Sequence, residues 1–518
     1  MQKAGSGSLT LVNGLVVTMD ARRPRAAAVA VRDGRIVAVG DRAEIDRLDP
    51  KPREVVDLHG ATVLPGFIDS HVHAFSTGMA LCSADLAGAR DVQDVCGRLR
   101  EHAAHLSGGR WVYGFGCAPW TLAERRFPTA PELDAAVGDR PVYVTSTSFH
   151  SGATNTAGLR ELAAAGLPFG RSPGEPEAGW FVDDESHFAA ARLAFGSLSD
   201  AEIVERYRRV AERAVSKGVT TLHCLEGQFI TGDRDVQVLH ERADELPLHV
   251  LLMYQTMDVD RVLAMGLDRI GGCLTVDGAC FEHTACFYEP YLDKPDTCGE
   301  LNYSEEEIHA FVDRAHRAGL QVGMHAIGDR AIDVLVRAYD AAARAFPRDD
   351  CRHRVEHFQL PTEWAIERAL ALRLALPMQP AFSYLWDNGG DGDYDHSFGP
   401  ERAERMEPFR RLAELGAVVS GGSDSPVTSI DPLFGVHAAA NNPRASRRTD
   451  VDTALRMFTT NGAWVGREEH ERGAIIEGMR GDLVVIDCDP YAEREGIGDA
   501  RVELTVSDGA VTYASGEL

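Results

Sequence analysis

Five side chains spread through most of the sequence are of the kinds that bind metal ions and move protons. The stretch "DSHVH" sets His71 and His73 two apart, so on a strand both imidazoles point the same way. "GMHAIGD" supplies His325, "RVEHF" supplies His357 and "SGGSDSP" supplies Asp424, each where an apolar run stops. A single histidine at a strand end is ordinarily a satisfied core or surface residue. Four of them with an aspartate, all at equivalent positions, read as one metal site. Imidazole and carboxylate donors suit Zn²⁺ or a similar divalent ion, and the chemistry such a site offers is activation of water.

For these residues to meet, the chain must bring its strand ends to one place. Apolar strands alternate with helical stretches from "VLPGFIDSHVH" to "AVVSGGSD", as a parallel-sheet protein requires. Candidate strands between these are "WVYGFG", "PVYVTSTSF", "VTTLHCL", "LHVLLMYQ", "GCLTVDG", "LQVGMHAIG", "HRVEHF" and "LALPMQPAF". Helices such as "SEEEIHAFVDRAHRAG", which opens on a Ser N-cap with Glu in its first turn, lie between them. Eight of these strands suffice to close a TIM (β/α)₈ barrel of class α/β, expected over 65–469, whose chemistry collects at the C-terminal strand ends. Two of the candidate strands then fall in an insertion around 75–215. Short strands with Asn-Gly and Asp-Gly turns fill 1–64, and "GDLVVIDCDP" and "VELTVSDGAVTYASGEL" repeat the style over 470–518. Both termini are expected to build one composite β-sandwich.

Composition narrows the function classes. A formal net charge of −26 argues against nucleic acid as a partner. No stretch is long and apolar enough to span a bilayer, and "MQKAGSGSLTLVNG" has no signal-peptide pattern, so a cytoplasmic protein acting on a small molecule is expected. Ten cysteines without a secretion signal read as thiols or metal ligands; Cys273, Cys280, Cys286 and Cys298 cluster in one segment but form no CxxC pair. Lysine occurs only at Lys3, Lys51, Lys217 and Lys294.

The motifs "VLPGFIDSHVH", "HAIGDRAI", "VEHFQ", "GSDSPV", "TTNGA" and "GMRGDLVVIDCDP", in this order, resemble the amidohydrolase superfamily. In particular they are similar to amidohydrolase family 3, the YtcJ-like branch that includes N-substituted formamide deformylases. The resemblance runs from about residue 8 to 515. It implies a distorted TIM (β/α)₈ barrel with one or two metal ions, a flanking composite β-sandwich, and hydrolysis of a non-peptide C–N bond of a small molecule by metal-activated water. His71 and His73 match the first-strand ligands, His325 and His357 those of the fifth and sixth strands. Asp424 matches the eighth-strand aspartate, which touches metal and shuttles the proton of the attacking water. His325 is placed with Asp424 among the catalytic groups.

At one position the pattern breaks. Relatives typically end the fourth strand with a lysine four residues before an Asp-Gly, often carboxylated to bridge two metals. Here the pair is Asp277-Gly278, and Cys273 stands four residues back. The thiolate is read as a ligand, terminal or bridging, with a bystander thiol in a one-metal site and a site without metal as alternatives. A soft sulfur favours Zn²⁺ and makes Mg²⁺ or Ca²⁺ a poor fit.

Around the site, "FHSGATN" resembles the family's substrate-side segment and offers His150 and Asn155. "HCLEG" offers Glu226 beside His223, "DGACFEHTA" offers His283, and "GFGCAPW" and "MQPAFSYLWD" offer Trp120, Gln379, Tyr384 and Trp386. These are substrate-binding candidates. A lyase or decarboxylase on the same barrel, a non-catalytic binding homologue, and assembly into a homo-oligomer stay open.

Overall fold

The computed structural model describes residues 8–48, 54–106, 111–147, 151–167, 179–181, 184–196, 198–227, 233–387 and 392–517. Eight strands run parallel around one sheet in chain order. They are Phe67–Val72, Val219–Glu226, His249–Tyr254, Arg269–Ile270, Gln321–Ala326, Arg354–His357, Ala375–Met378 and Val418–Gly421. Their near-continuous apolar runs suit strands covered on both faces, and the first, second and fifth are buried at every residue. The eighth strand returns to the first. Ser70 Oγ shares a 2.8 Å hydrogen bond with Ser420 Oγ and donates to Gly421 O at 2.7 Å. The Asp424 amide donates to His71 O at 2.8 Å. The fold is the expected distorted (β/α)₈ barrel, nearly closed.

The helices are held by the devices written in their sequences. Glu305–Arg317 starts at the Ser304 cap, whose hydroxyl and amide engage Glu307 in a capping box. Asp200–Ser216 starts the same way at Ser199 and Glu202, and buries Ile203, Tyr207, Val210, Ala211, Ala214 and Val215, one stripe at helical spacing.

"GCLTVDG" does not form the continuous strand that its sequence suggests. Ladder pairing covers only Arg269–Ile270, because Gly271 and Gly272 take positive φ angles of 95° and 58°. Pairing resumes at a bridge between Thr275 and His325. The Val276 amide there donates to His325 O at 3.0 Å, and the His325 amide to Leu274 O at 3.0 Å. Cys273 therefore sits on a turn inside the barrel wall. Gly271 is required twice over, by its φ and because a Cβ there would lie 2.1 Å from Gly323 O.

"WVYGFG" and "PVYVTSTSF" stay out of the barrel. As Val112–Cys117 and Val142–Ser146 they pair within a five-stranded sheet containing Ala84–Asp85, Gly152–Thr154 and Trp180–Phe181. This sheet packs its own core of residues such as Leu86, Leu99, Leu133 and Val144. Strands from both ends of the chain share one further eight-stranded sheet. Its seam is Thr62–Pro65 antiparallel to Leu483–Ile486. Leu9, Val16 and Val63 pack there with Val485, Leu504 and Val506. No helix among the described residues is long and apolar enough to cross a membrane.

Gly319 has a φ of 90° like Gly271 but nothing within 4 Å of its would-be Cβ. Gly319→Ala is expected to cost about 1 kcal/mol from backbone strain alone. Gly271→Ala is expected to cost at least about 3 kcal/mol, the strain plus the collision. Denaturation midpoints of the two variants against the parent check this; equal losses would mean that the wall at Gly323 yields.

Candidate metal centre

The first, fourth, sixth and eighth segments of the barrel converge on one buried cluster. His71 and Asp424 meet through Nε2 and Oδ1 at 3.2 Å, and His73 Nε2 reaches the same oxygen at 3.2 Å. Cys273 Sγ lies 3.7 Å from His357 Nε2. The ring of His357 lies 4.8 Å from that of His71 and 4.5 Å from that of His325. Among the described residues, His71 with Cys273 and His357, and His71 with His73 and Asp424, form triplets whose donor atoms all lie within 4.8 Å of one another. His357 and Asp424 hold left-handed backbone, φ 72° and 53°, a cost that clusters at functional positions. Gly422 lets the eighth segment approach, since a Cβ there would meet His71 Cβ at 2.6 Å.

A second set of groups decides which nitrogen of each ring faces inward. His71 Nδ1 bonds Glu356 Oε2 at 2.8 Å, His73 Nδ1 bonds Leu225 O at 3.1 Å, and His357 Nδ1 bonds Gln379 Oε1 at 2.8 Å. Each acceptor takes an N–H and leaves the Nε2 lone pair for the centre. Glu356 is itself gripped by Arg354, whose Nε donates to Oε1 at 2.6 Å, and both side chains are wholly buried. His325 is arranged differently: its Nδ1 lies 3.3 Å from Asp277 Oδ1. The Asp277 carboxylate also accepts the amides of Cys286 and Gly328, each at 2.8 Å, and of Ile327 at 3.1 Å.

Charges inside the cluster compensate one another. Burial alone would drive His71 down, but the charges of Asp424 and Cys273 raise it well above its ordinary value. The same two groups overcome burial at His73 and lift it to about 10. Burial pushes the Asp424 carboxyl and the Cys273 thiol up, yet the surrounding imidazoles hold both well below their usual ranges. The groups thus balance two anions against protons shared among imidazoles. A divalent cation held by these groups would take over the charge of those protons. His71 Nε2, fully buried, faces the Asp424 carboxylate at 3.2 Å without forming a well-directed hydrogen bond, as suits a nitrogen reserved for a metal. The donor set fits a divalent ion.

Known proteins match nearly the whole chain. The model of the amidohydrolase family matches residues 54–513. The chain belongs to the amidohydrolase family. It is 30% identical over 98% of its length to an N-substituted formamide deformylase of Arthrobacter pascens, covering 98% of that protein. It is 27% identical to the putative amidohydrolase YtcJ of Bacillus subtilis, covering 96% of this chain and 98% of that one. Among solved structures, an uncharacterized metal-dependent hydrolase from Pyrococcus horikoshii superposes with a TM-score of 0.80 at 26% identity, over 95% of this chain and 99% of the other. This amidohydrolase is a metal-dependent enzyme that hydrolyses C–N bonds of small molecules.

The outer candidates are placed variously in this amidohydrolase. Gln379 holds His357, as described. Glu226 closes the second strand and accepts the amides of Ala74 and Phe75 at the start of the helix that follows His73; burial and the nearby Asp235 push it up to about 8. Asn155 caps the inserted helix Thr156–Ala164, accepting from Gly158 at 3.0 Å and Val142 at 3.1 Å and donating to Arg140 O at 2.8 Å. His283 Nε2 pairs with Asp293 Oδ2 at 3.0 Å. Trp120 stands half-exposed on the turn Pro119–Thr121 of the insertion. Trp386 packs 4.6 Å from Phe382, whose ring lies nearly parallel to His357. Tyr384 bonds His437 at 3.0 Å. His150 lies outside the described residues. Arg354 and Glu356 were given no role by sequence reasoning, although two charged residues on one strand of a closed barrel were a signal.

Gln379→Leu keeps the volume but removes the acceptor that orients His357. Metal affinity, read by chelator competition, is expected to fall about 10- to 100-fold with the fold intact by circular dichroism. Unchanged affinity would show that packing alone fixes the ring.

Proposed function

We propose that this amidohydrolase cleaves the amide bond of an N-substituted formamide or a closely related small amide. We further propose that it uses Zn²⁺ held by His71, His73, Cys273, His357 and Asp424. The reading is carried by one observation: five donor side chains from distant segments converge, and the far nitrogen of each of their imidazoles is tied to an acceptor. Three imidazoles and a thiolate favour zinc over the hard alkaline-earth ions. The relative named as a formamide deformylase, matched over nearly its whole length, supports the substrate class.

A bound zinc ion supplies a Lewis acid that acidifies water and polarises a carbonyl. The chain's own groups do the rest. The Asp424 carboxylate, fixed between His71 and His73, accepts a proton from the attacking water and delivers it to the leaving nitrogen. The C–N bond breaks, a C–O bond forms, and one water is consumed for each amine and acid released. His325, whose ring lies beside that of His357, is read as a second catalytic group acting with Asp424. All ten cysteines are free thiols, which fits a reducing cytoplasm.

The test is incubation of the zinc-loaded protein with N-substituted formamides and other small amides in ¹⁸O-water. One labelled oxygen in the released acid is expected; release of product without label would reject hydrolysis. Asp424→Asn is expected to lower kcat by about 10²- to 10⁴-fold, because the amide cannot carry the proton. Parental turnover in that variant would remove the shuttle role.

A further inference from the structure

We infer that His316 and His353 form an acid-sensitive clasp at the base of the barrel, opposite the metal centre, whose chain of hydrogen bonds closes only while both rings are neutral. The inference is independent of the metal-dependent reading above.

The clasp joins four pieces of chain. His316 lies in the last turn of Glu305–Arg317, and His353 immediately precedes the sixth strand, Arg354–His357. Both side chains are buried. Val322 of the fifth strand donates its amide to His353 Nδ1 at 3.0 Å. His353 Nε2 and His316 Nδ1 lie 2.9 Å apart. His316 Nε2 lies 2.7 Å from Phe346 O, at the end of the helix Asp329–Ala345.

The two end groups fix every proton. An amide N–H only donates, so His353 Nδ1 carries a lone pair and, in a neutral ring, Nε2 carries the proton. A carbonyl only accepts, so His316 Nε2 carries the proton and Nδ1 the lone pair. The assignments, made from opposite ends, agree: His353 Nε2–H donates to His316 Nδ1. One more proton breaks the chain. On His316 Nδ1 it would face the N–H of His353, and on His353 Nδ1 it would face the amide of Val322.

The same proton count disfavours a metal, although the two rings and Cys351 Sγ are close enough together to hold one. His353 would bind through Nε2 only by moving its proton to Nδ1, against the Val322 amide. Cys351 donates its thiol proton to Arg348 O at 3.5 Å, and burial pushes that thiol up, whereas a metal takes the thiolate.

The surroundings oppose protonation. Arg348 donates to His316 O and Arg467 to Cys351 O, while Arg317 is paired with Asp313 at 2.8 Å. Tyr339 stacks on His353 with ring centres 4.9 Å apart. Burial, then the charges of His316, Arg348 and Arg467, hold His353 well below the ordinary imidazole range. Burial holds His316 below it too, against the pull of the Phe346 carbonyl. Unfolded imidazoles titrate near about 6.5. Below that pH the opened chain binds more protons than the closed one, so the clasp weakens by up to about tenfold per pH unit for each ring. Opening frees the bases of the fifth and sixth strands, whose far ends carry His325 and His357.

The test is hydrogen–deuterium exchange of the intact zinc-loaded protein at pH 7.5 and 5.5, read by mass spectrometry and corrected for the intrinsic pH dependence of exchange. Peptides covering 316–323 and 346–354 are expected to lose protection about tenfold or more at pH 5.5, while the first strand, 67–72, keeps its own. Unchanged protection there, or a loss spread evenly over the barrel, would overturn the inference. In His353→Gln the amide can accept from Val322 and donate to His316 but takes up no proton. The acid-induced loss is expected to shrink below about threefold in that variant. A loss as large as in the parent would overturn the role of the rings. His316→Gln, which can accept from His353 and donate to Phe346 O, repeats the test from the other end of the chain with the same expected result.

Discussion

Beneath the metal centre, Arg354 and Glu356 form an ion pair with both side chains wholly removed from water. Burying two charges costs several kcal/mol for each unless the pair is well formed and its remaining donors and acceptors are used. Here they are used. Arg354 also donates to Ser70 O at 2.7 Å on the first strand and lies 3.4 Å from His223 on the second. Glu356 spends its other oxygen on His71 at 2.8 Å. The pair therefore ties three strands together below the site and fixes the one imidazole common to both donor triplets. An apolar pair of the same volume would be as stable in many barrels; it would not set the tautomer of His71.

The other two imidazoles repeat the device with cheaper groups. A backbone carbonyl serves His73 and a neutral amide serves His357, so the charged pair is confined to the central ring. Were a carboxylate placed behind every imidazole, two more buried negative charges would need compensation. The gradation from ion pair to amide to carbonyl adds no further buried charge behind the cluster.

Much of this was legible in the sequence, for definite reasons. The two-residue spacing of His71 and His73, and the position of His325, His357 and Asp424 at the ends of apolar runs, survive any small error in strand boundaries, because the side-chain period on a strand is two. The barrel, and the exclusion of "WVYGFG" and "PVYVTSTSF" from it, followed from the same pattern. The fourth segment was less legible. "GCLTVDG" has strand composition, and only the φ angles of Gly271 and Gly272 show that it turns. Asn155 and Glu226 show another limit. Their side chains suit substrate binding and helix capping equally, and it is the amides of Gly158, Ala74 and Phe75 that engage them here. A residue type states what a group can bond to, and the fold alone decides which partner arrives.

The seam of the barrel and the metal centre cannot be separated. The amide of Asp424 completes the junction of eighth to first strand by bonding His71 O, while its carboxylate meets the His71 ring. Both ends of the closure thus carry candidate donors, and the left-handed backbone at Asp424 is the local cost of turning one residue to both tasks. The amide of Ser423 donates to Asp69 at 2.9 Å, a second tie between that turn and the first strand. A barrel that failed to close here would misplace Asp424 and His71 together, so the parallel sheet is complete only when the donors stand ready for a cation.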